Sequence, residues 1–278
     1  MCLIAFAWRA HRSYPLALVA NRDEFHHRPS AEASLDPAAT DVYGGRDRVQ
    51  GGSWLQVSTR GRLATVTNVR AGLGPPEAPR SRGWLVRDFV RGDAEAVNHA
   101  AALDSTANEY GRFNLLLWDG AELAFASNYP RPTHSVVSPG LHAMSNGAFD
   151  APWPKSGHAM RALEAWLASA LDGAEVIEAA ALTPLFEALA DTTVAPDDFL
   201  PDTGVGLALE RTLSPPFVFG ESYGTRCSSV VLIGHDHFVF AEKRFGPNAV
   251  PLGESLVTLP LSGVARTRLI PAIAGDYP

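Results

Sequence analysis

Cys2 stands directly behind the initiator Met1 at the head of an apolar run that ends at Trp8, and its position alone carries chemical meaning. A small side chain at the second position allows removal of Met1, and the new terminus then carries a thiol and an α-amine on one residue. That amine, with an ordinary pKa of about 7.7 to 8.0, can act as general base for the thiol, so nucleophile and base arrive together. The alternative is a buried free cysteine filling a gap in the first strand. Asn21-Arg22-Asp23-Glu24 follow the second apolar run, Leu16 to Ala20, and add four consecutive polar or charged side chains. If the strand continues through them, Asn21 and Asp23 share one face while Arg22 and Glu24 share the other. Asp23 can then hold the α-ammonium of Cys2, and Arg22 can pair with Glu24 or Asp47 as scaffold. A solvated turn is the other reading of this segment.

The elements that must position these groups follow from apolar periodicity and turn residues. Residues 2 to 8 and 16 to 20 read as a hairpin joined by the polar stretch Arg9 to Pro15. A second hairpin is expected where Trp54 to Ser58 meets Leu63 to Asn68, with Gly44, Gly45, Gly51 and Gly52 punctuating the loop before it. Ser81 is a plausible N-cap for a helix carrying Trp84, Leu85, Phe89 and Val90, and a second helix is expected around Ala94 to Leu103. Strands resume at Phe113 to Trp118, Glu122 to Ala126 and Leu141 to Ser145. The spacing of Met160, Leu163, Trp166, Leu167 and Leu171 predicts a helix from about Pro154 to Leu171, with another near Val176 to Leu189.

Asp191 to Phe217 reads as a long surface excursion with a short apolar insertion at Gly204 to Leu209. Cys227 to Ile233 and His237 to Ala241 form a last hairpin, with a further strand near Ser255 to Leu259. Hairpins at both ends and paired helices between them predict antiparallel sheets covered by helices.

The chain of 278 residues is 46% hydrophobic and 19% charged, enough to bury a large core in one globular domain spanning 1–278. A net charge of -7 with no basic stripe argues against nucleic-acid binding. Two cysteines, Cys2 and Cys227, cannot make a disulfide framework, which points to a reducing compartment and hence the cytoplasm. The first apolar run carries its basic residues after it rather than before it, unlike a secretory signal. Charged residues interrupt every candidate for an integral membrane segment. Phosphate loops, dinucleotide fingerprints and Gly-x-Ser-x-Gly elbows are missing. His26-His27 and His235/His237 lack partners at metal-binding spacing, so no metal site is expected and these read as loop histidines. Cys227 and the tryptophans Trp118, Trp153 and Trp166 read as packing residues.

The chain closely resembles the NRDE family, also called the Transport and Golgi organization family. The blocks that carry the resemblance cover nearly the whole chain. They begin with Met1-Cys2-Leu3-Ile4, Ala20 to Phe25 with Arg28-Pro29, and Gly44-Gly45-Arg46-Asp47. Gly51-Gly52-Ser53-Trp54-Leu55, Thr67-Asn68-Val69-Arg70 and Ser81-Arg82-Gly83 follow. The later blocks are Phe113-Asn114-Leu115, Ser145-Asn146-Gly147 with Pro152 to Lys155, and Tyr223-Gly224-Thr225-Arg226.

The family in turn resembles the N-terminal nucleophile hydrolases, in particular penicillin V acylases and bile salt hydrolases. That resemblance implies an α+β fold, a four-layer αββα sandwich. It implies a cysteine-dependent hydrolase of a non-peptide amide or acyl bond, with a small-molecule substrate and no cofactor. Cys2 is then nucleophile and base, Asp23 orients the amine, Asn68 and Asn146 are oxyanion donors, and Arg226 is a late arginine of the site. Asn21, Arg22, Glu24, Trp54 and Arg70 are expected to bind substrate or support the site. In the acylases the early arginine lies a few residues before the aspartate, where this chain has Leu18, Val19 and Ala20. Arg22 adjoins Asp23 instead, and on an extended segment it is expected to point away from the site.

A second reading implied by the family is a non-catalytic carrier in haem trafficking or lipid homeostasis, although no Cys-x-x-Cys-His motif or other recognisable haem ligand pair is present. A third is a structural or regulatory module on the same scaffold. Retention of Met1 blocks the free α-amine and separates these from catalysis.

Overall fold

The computed structural model describes residues 2–73, 78–170 and 177–262, with Cys2 described by its backbone alone. In chain order the strands are β1 (Cys2–Trp8), β2 (Leu16–Phe25), β3 (Ser30–Asp36), β4 (Ala39–Asp47), β5 (Leu55–Ser58), β6 (Arg62–Asn68) and β7 (Phe113–Trp118). They continue with β8 (Leu123–Ser127), β9 (Thr133–Val136), β10 (Gly140–Met144), β11 (Tyr223–Ile233), β12 (His237–Phe245) and β13 (Pro251–Pro260). The α-helices are α1 (Arg82–Arg91), α2 (Ala96–Ala102), α3 (Pro154–Ser169), α4 (Thr183–Leu189) and α5 (Leu207–Thr212).

Two antiparallel sheets result, ordered β10-β1-β2-β11-β12-β13 and β3-β4-β5-β6-β7-β8-β9. Side chains alternate across each strand, so each sheet has two apolar faces to bury. Ile4, Phe6 and Trp8 of β1 and Leu16 and Leu18 of β2 meet Leu55, Val57, Leu63 and Leu116 between the sheets. Leu3, Ala5, Ala7, Ala17 and Val19 face outward and pack against Leu163 and Trp166 of α3 and Leu185 of α4. On the far face of the other sheet, Ala64, Leu115 and Leu117 pack against Leu85 and Phe89 of α1 and Ala96 and Ala100 of α2. The layers therefore run helix, sheet, sheet, helix, the αββα order expected from the resemblance.

Several sequence expectations change. β2 does not stop at Ala20 but runs through Phe25, because β11 pairs with it along its whole length from Leu16 to Phe25. Gly44 and Gly45 lie inside β4, not in a loop. The short exposed β9 and the half-covered β3 form by backbone pairing to β8 and β4 and carry little apolar signal. The helix expected near Val176 to Leu189 is α4, opened by Pro184 in its first turn and preceded by a 3₁₀ turn at Ala179–Leu182. Val176 and Leu171 lie outside the described residues. The insertion at Gly204 to Leu209 contributes the start of α5, whose Glu210 is buried. Among the described residues, no helix is long and apolar enough to cross a membrane.

Candidate active site

β1 begins at Cys2, whose backbone lies directly opposite Arg22 of β2. Arg22 is in turn opposite Cys227 of β11. Strand alternation holds through Phe25. Asn21 is directed to the helix side, where its amide donates to the carbonyls of Leu189 and Pro216 at 2.8 and 2.9 Å and its Oδ1 accepts from Ser228 at 2.6 Å. Arg22 is directed between the sheets, where its guanidinium lies 4.1 Å from the centre of the Trp54 ring. The backbone does not turn, and the register places Arg22 opposite Cys2, with its side chain in the cleft lining; its direction relative to the Cys2 thiol lies outside the described residues.

A cleft of about 400 Å³ opens at this end of the sheets. Arg22, Asp23, Glu24, Trp54 and Asn68 line it, all of them residues singled out from the sequence. Asp23 is buried and accepts a hydrogen bond from Thr225 Oγ1 at 2.6 Å. Burial pushes its carboxyl above the usual range, opposed by the charges of Lys155 and Arg22 and by the Thr225 hydroxyl. Asn68 ends β6. Asn146 stands behind it, fully buried, and its amide donates to the Asn68 carbonyl at 2.9 Å and to Asn68 Oδ1 at 3.0 Å. With Oδ1 occupied, the Asn68 amide nitrogen is left for the cleft. Thr67 fixes the same junction by donating to the Ser145 carbonyl at 2.6 Å. Asn146 thus orients Asn68 and is itself absent from the described lining.

Arg226, Asn21 and Arg70 are not brought into the lining. Arg226 is the extra residue of a bulge between Thr225 and Cys227, and its Nη1 donates to the carbonyls of Phe25 and Arg28 at 2.9 and 3.0 Å. It clamps the turn after β2. Arg70 pairs with Glu210 at 2.6 Å and donates to Thr203 Oγ1 at 2.8 Å, fastening the excursion of residues 191–217 to the end of β6. Arg22 has Glu24 at 3.8 Å, whereas Asp47 is engaged in two bonds from Arg28 at 3.1 and 2.7 Å. The roles expected of the Cys2 thiol and of Met1 lie outside the described residues.

Sequence reasoning did not assign the other wall to the site. Arg28, Asp47, Arg80, Arg82 and Tyr223 also line the cleft. Their signal was present, because each lies in or beside one of the family blocks quoted above, yet nothing local showed that the blocks converge. Two glycines explain how they do. A Cβ at Gly52 would overlap the Gly83 backbone, and one at Gly45 would overlap the Trp54 ring. Glycine at both positions lets the N-terminus of α1 close on the loop before β5 and the Trp54 indole close on β4. Ser53 N–H donates to the Gly83 carbonyl at 3.0 Å across that contact.

Among the described residues, no group of three or more His, Cys, Asp and Glu is arranged to hold a metal ion. Tyr223 is the only described side chain of the lining of a kind that ligates haem iron, and its hydroxyl donates to the Asp23 carbonyl at 3.3 Å. The described wall does not fit haem.

An α+β sandwich with the start of its first strand beside a polar cleft is the class that fold and site define. The chain belongs to the Transport and Golgi organisation 2 family, whose model matches residues 1–247. It is 31% identical over 263 residues to the human Transport and Golgi organization protein 2 homolog, covering 87% of this chain and 92% of that protein. The cattle (Bos taurus) and mouse (Mus musculus) homologs are 30% and 28% identical with the same coverage. Among solved structures, the chain is similar to a conjugated bile acid hydrolase variant from Clostridium perfringens, with TM-score 0.49, 7% identity and coverage of 95% and 98% of the two chains. It is also similar to the Caenorhabditis elegans ortholog of N-acylethanolamine-hydrolyzing acid amidase, with TM-score 0.47, 8% identity and coverage of 83% and 92%.

Proposed function

We propose that this protein is a cysteine-dependent hydrolase of a non-peptide amide or related acyl bond, with Cys2 as nucleophile after removal of Met1. The observation that carries the reading is the meeting, at one cleft, of the β1 start with Arg22, Asp23 and an Asn68 amide turned toward the space by Asn146.

In this reading the Cys2 sulfur attacks the acyl carbon and the thiol proton passes to the α-amine. The carbonyl π electrons move to oxygen, which accepts from Asn68 Nδ2 in the tetrahedral intermediate. Collapse breaks the bond to the leaving amine, which takes the proton from the α-ammonium, and an acyl-thioester remains. Water, deprotonated by the same amine, then releases the acid and restores the thiol. Asp23 holds the ammonium form between the two proton transfers.

Intact-mass measurement on protein from its native host is expected to give the chain without Met1, with Cys2 alkylated selectively by iodoacetamide. A panel of acylated amines is expected to include substrates whose turnover is lost in Cys2→Ala and in enzyme retaining Met1. Quantitative retention of Met1 overturns the proposal. The haem carrier is decided on the same preparation, since a haem absorption shift unchanged by Cys2→Ala, with no hydrolysis across the panel, favours that reading.

A further inference from the structure

Behind the open cleft lies a second, much smaller space of about 10 Å³, between the sheets. Ile4, Ala20 and Leu55 supply its aliphatic wall, and Asn21, Thr65, Val66 and Ser229 complete the lining. Arg22, Trp54 and Val66 line both spaces, so the Arg22–Trp54 stack is the partition between a polar cleft and the apolar inter-sheet core. The inner space has room for about one water molecule. On its cleft side the partition meets charged residues, and on its inner side it meets the aliphatic Ile4, Ala20 and Leu55 together with the uncharged polar Asn21, Thr65 and Ser229.

The partition is built from a half-buried indole and a guanidinium that is 7% exposed. Trp54 is backed by the bare Gly45 backbone and faced by Arg22. Arg22 is stacked rather than bonded: its nearest carboxylate is at 3.8 Å, and its Nη1 is enclosed without a hydrogen-bond partner among the described residues. Buried guanidinium groups are ordinarily paired, because an unmade bond there costs free energy. Here the plane of the guanidinium is given to covering the indole instead.

We propose that the Arg22–Trp54 stack is the floor of an acyl pocket and sets the length of chain that the cleft accepts, selecting short acyl groups. This inference rests on the hydrolase reading and names its substrate class. A carbonyl held at Asn68 beside the start of β1 then has its acyl chain run toward Trp54, the apolar side chain that lines both spaces. A chain of a few carbons ends against the indole. A longer chain has to enter between Ile4, Ala20 and Leu55, where the indole now blocks the way. Removing the indole joins the two spaces and exposes aliphatic wall to the chain.

The test uses the full-length protein with two readouts. Turnover is measured on anilides from acetyl to dodecanoyl, and binding of the matching fatty acids is measured by calorimetry in Cys2→Ala protein, where no turnover occurs. With Trp54 present, affinity and kcat/KM stop rising after the short chains. Trp54→Ala is expected to extend the rise by about fourfold for each further methylene buried, while the acetyl substrate loses rate. Trp54→Leu, which keeps an apolar filler, gives a smaller shift in the same direction and serves if Trp54→Ala does not fold. Parallel length profiles for native and variant protein overturn the proposal, as does native protein that takes dodecanoyl as well as acetyl, or fatty-acid binding that is absent from both. Absence of turnover with every anilide refutes the hydrolase reading alone, because the fatty-acid profile still decides whether Trp54 is the floor.

Discussion

Arg22 and Arg70 are equally withdrawn from water, each with its side chain 7% exposed, yet they are treated in opposite ways. Arg70 is fully engaged, with Glu210 at 2.6 Å, Thr203 at 2.8 Å and the Trp153 ring at 5.4 Å. Glu210 in turn accepts from the Thr203 amide at 2.9 Å. Arg22 rests on an indole with Glu24 at 3.8 Å and leaves Nη1 unbonded among the described residues. Equal burial with unequal satisfaction separates the two: Arg70 fastens a long excursion to the sandwich, and Arg22 faces the cleft. The same contrast recurs one residue to either side of Arg22. Asn21 spends its side chain on three bonds to the scaffold, while burial pushes Asp23 toward its neutral form.

The largest effect expected from breaking this contrast is at the satisfied pair. Glu210→Ala leaves Arg70 buried without its counter-charge and should destabilise the fold by about 3–5 kcal/mol, read as a shift in the urea midpoint. A loss below 1 kcal/mol would show that Arg70 is not the fastening. Next comes Asn68→Ala, which removes the amide aimed at the cleft. On the proposed hydrolase reading it should lower kcat by about 10²–10³-fold with little change in KM, while the urea midpoint moves far less than for Glu210→Ala.

Asn21→Ala follows, leaving two buried carbonyls without their donor at a cost of about 1–3 kcal/mol. Arg22→Met, which replaces an incompletely bonded guanidinium with an apolar chain over Trp54, should change stability least, by under about 1 kcal/mol in either direction. A loss comparable to that of Glu210→Ala would erase the distinction between the two arginines.

Asp23 sharpens the comparison through pH. A carboxyl raised in the folded state keeps its proton longer than in the unfolded chain. Stability from this group is therefore fully present below the ordinary aspartate pKa and falls as pH rises through the raised value. Asp23→Asn should remove that fall, so the urea midpoint of the variant, plotted against pH, stays flatter than that of the parent across the interval. A parent profile that instead rises there would mean the Asp23 carboxylate is held below its usual range.

Much of the scaffold was legible in the sequence because apolar periodicity is local. The two apolar runs marked β1 and β2 as a hairpin, and strand alternation put Asn21 and Asp23 on the opposite side from Arg22 and Glu24, while the division of Ile4 and Phe6 from Leu3 and Ala5 came only with the packing. β3, β4 and β9 were not legible, since Ser30–Asp36 is only partly covered, β4 contains two glycines, and Thr133–Val136 is exposed throughout. These strands exist because a neighbour offers backbone partners, which no side-chain pattern records. The residues of β2 and of the end of β6 that line the cleft were singled out in the sequence, but the wall formed by Arg28, Asp47, Arg80, Arg82 and Tyr223 was not. It is assembled by the contacts of Gly45 with Trp54 and of Gly52 with Gly83, where the missing side chain is the signal.

The sequence by itself therefore determined the two-sheet layering, the place of Cys2 at the head of an inner strand, and membership in a family defined by scattered short blocks. Only the tertiary structure decided that Arg22 belongs to the cleft, that Arg70 and Arg226 belong to the scaffold, and that Asn146 orients Asn68. The reason is range. An apolar face is set by the residues two and four along the same strand, whereas the partner that satisfies Arg70 lies 140 residues away and reaches it only once the excursion has folded back.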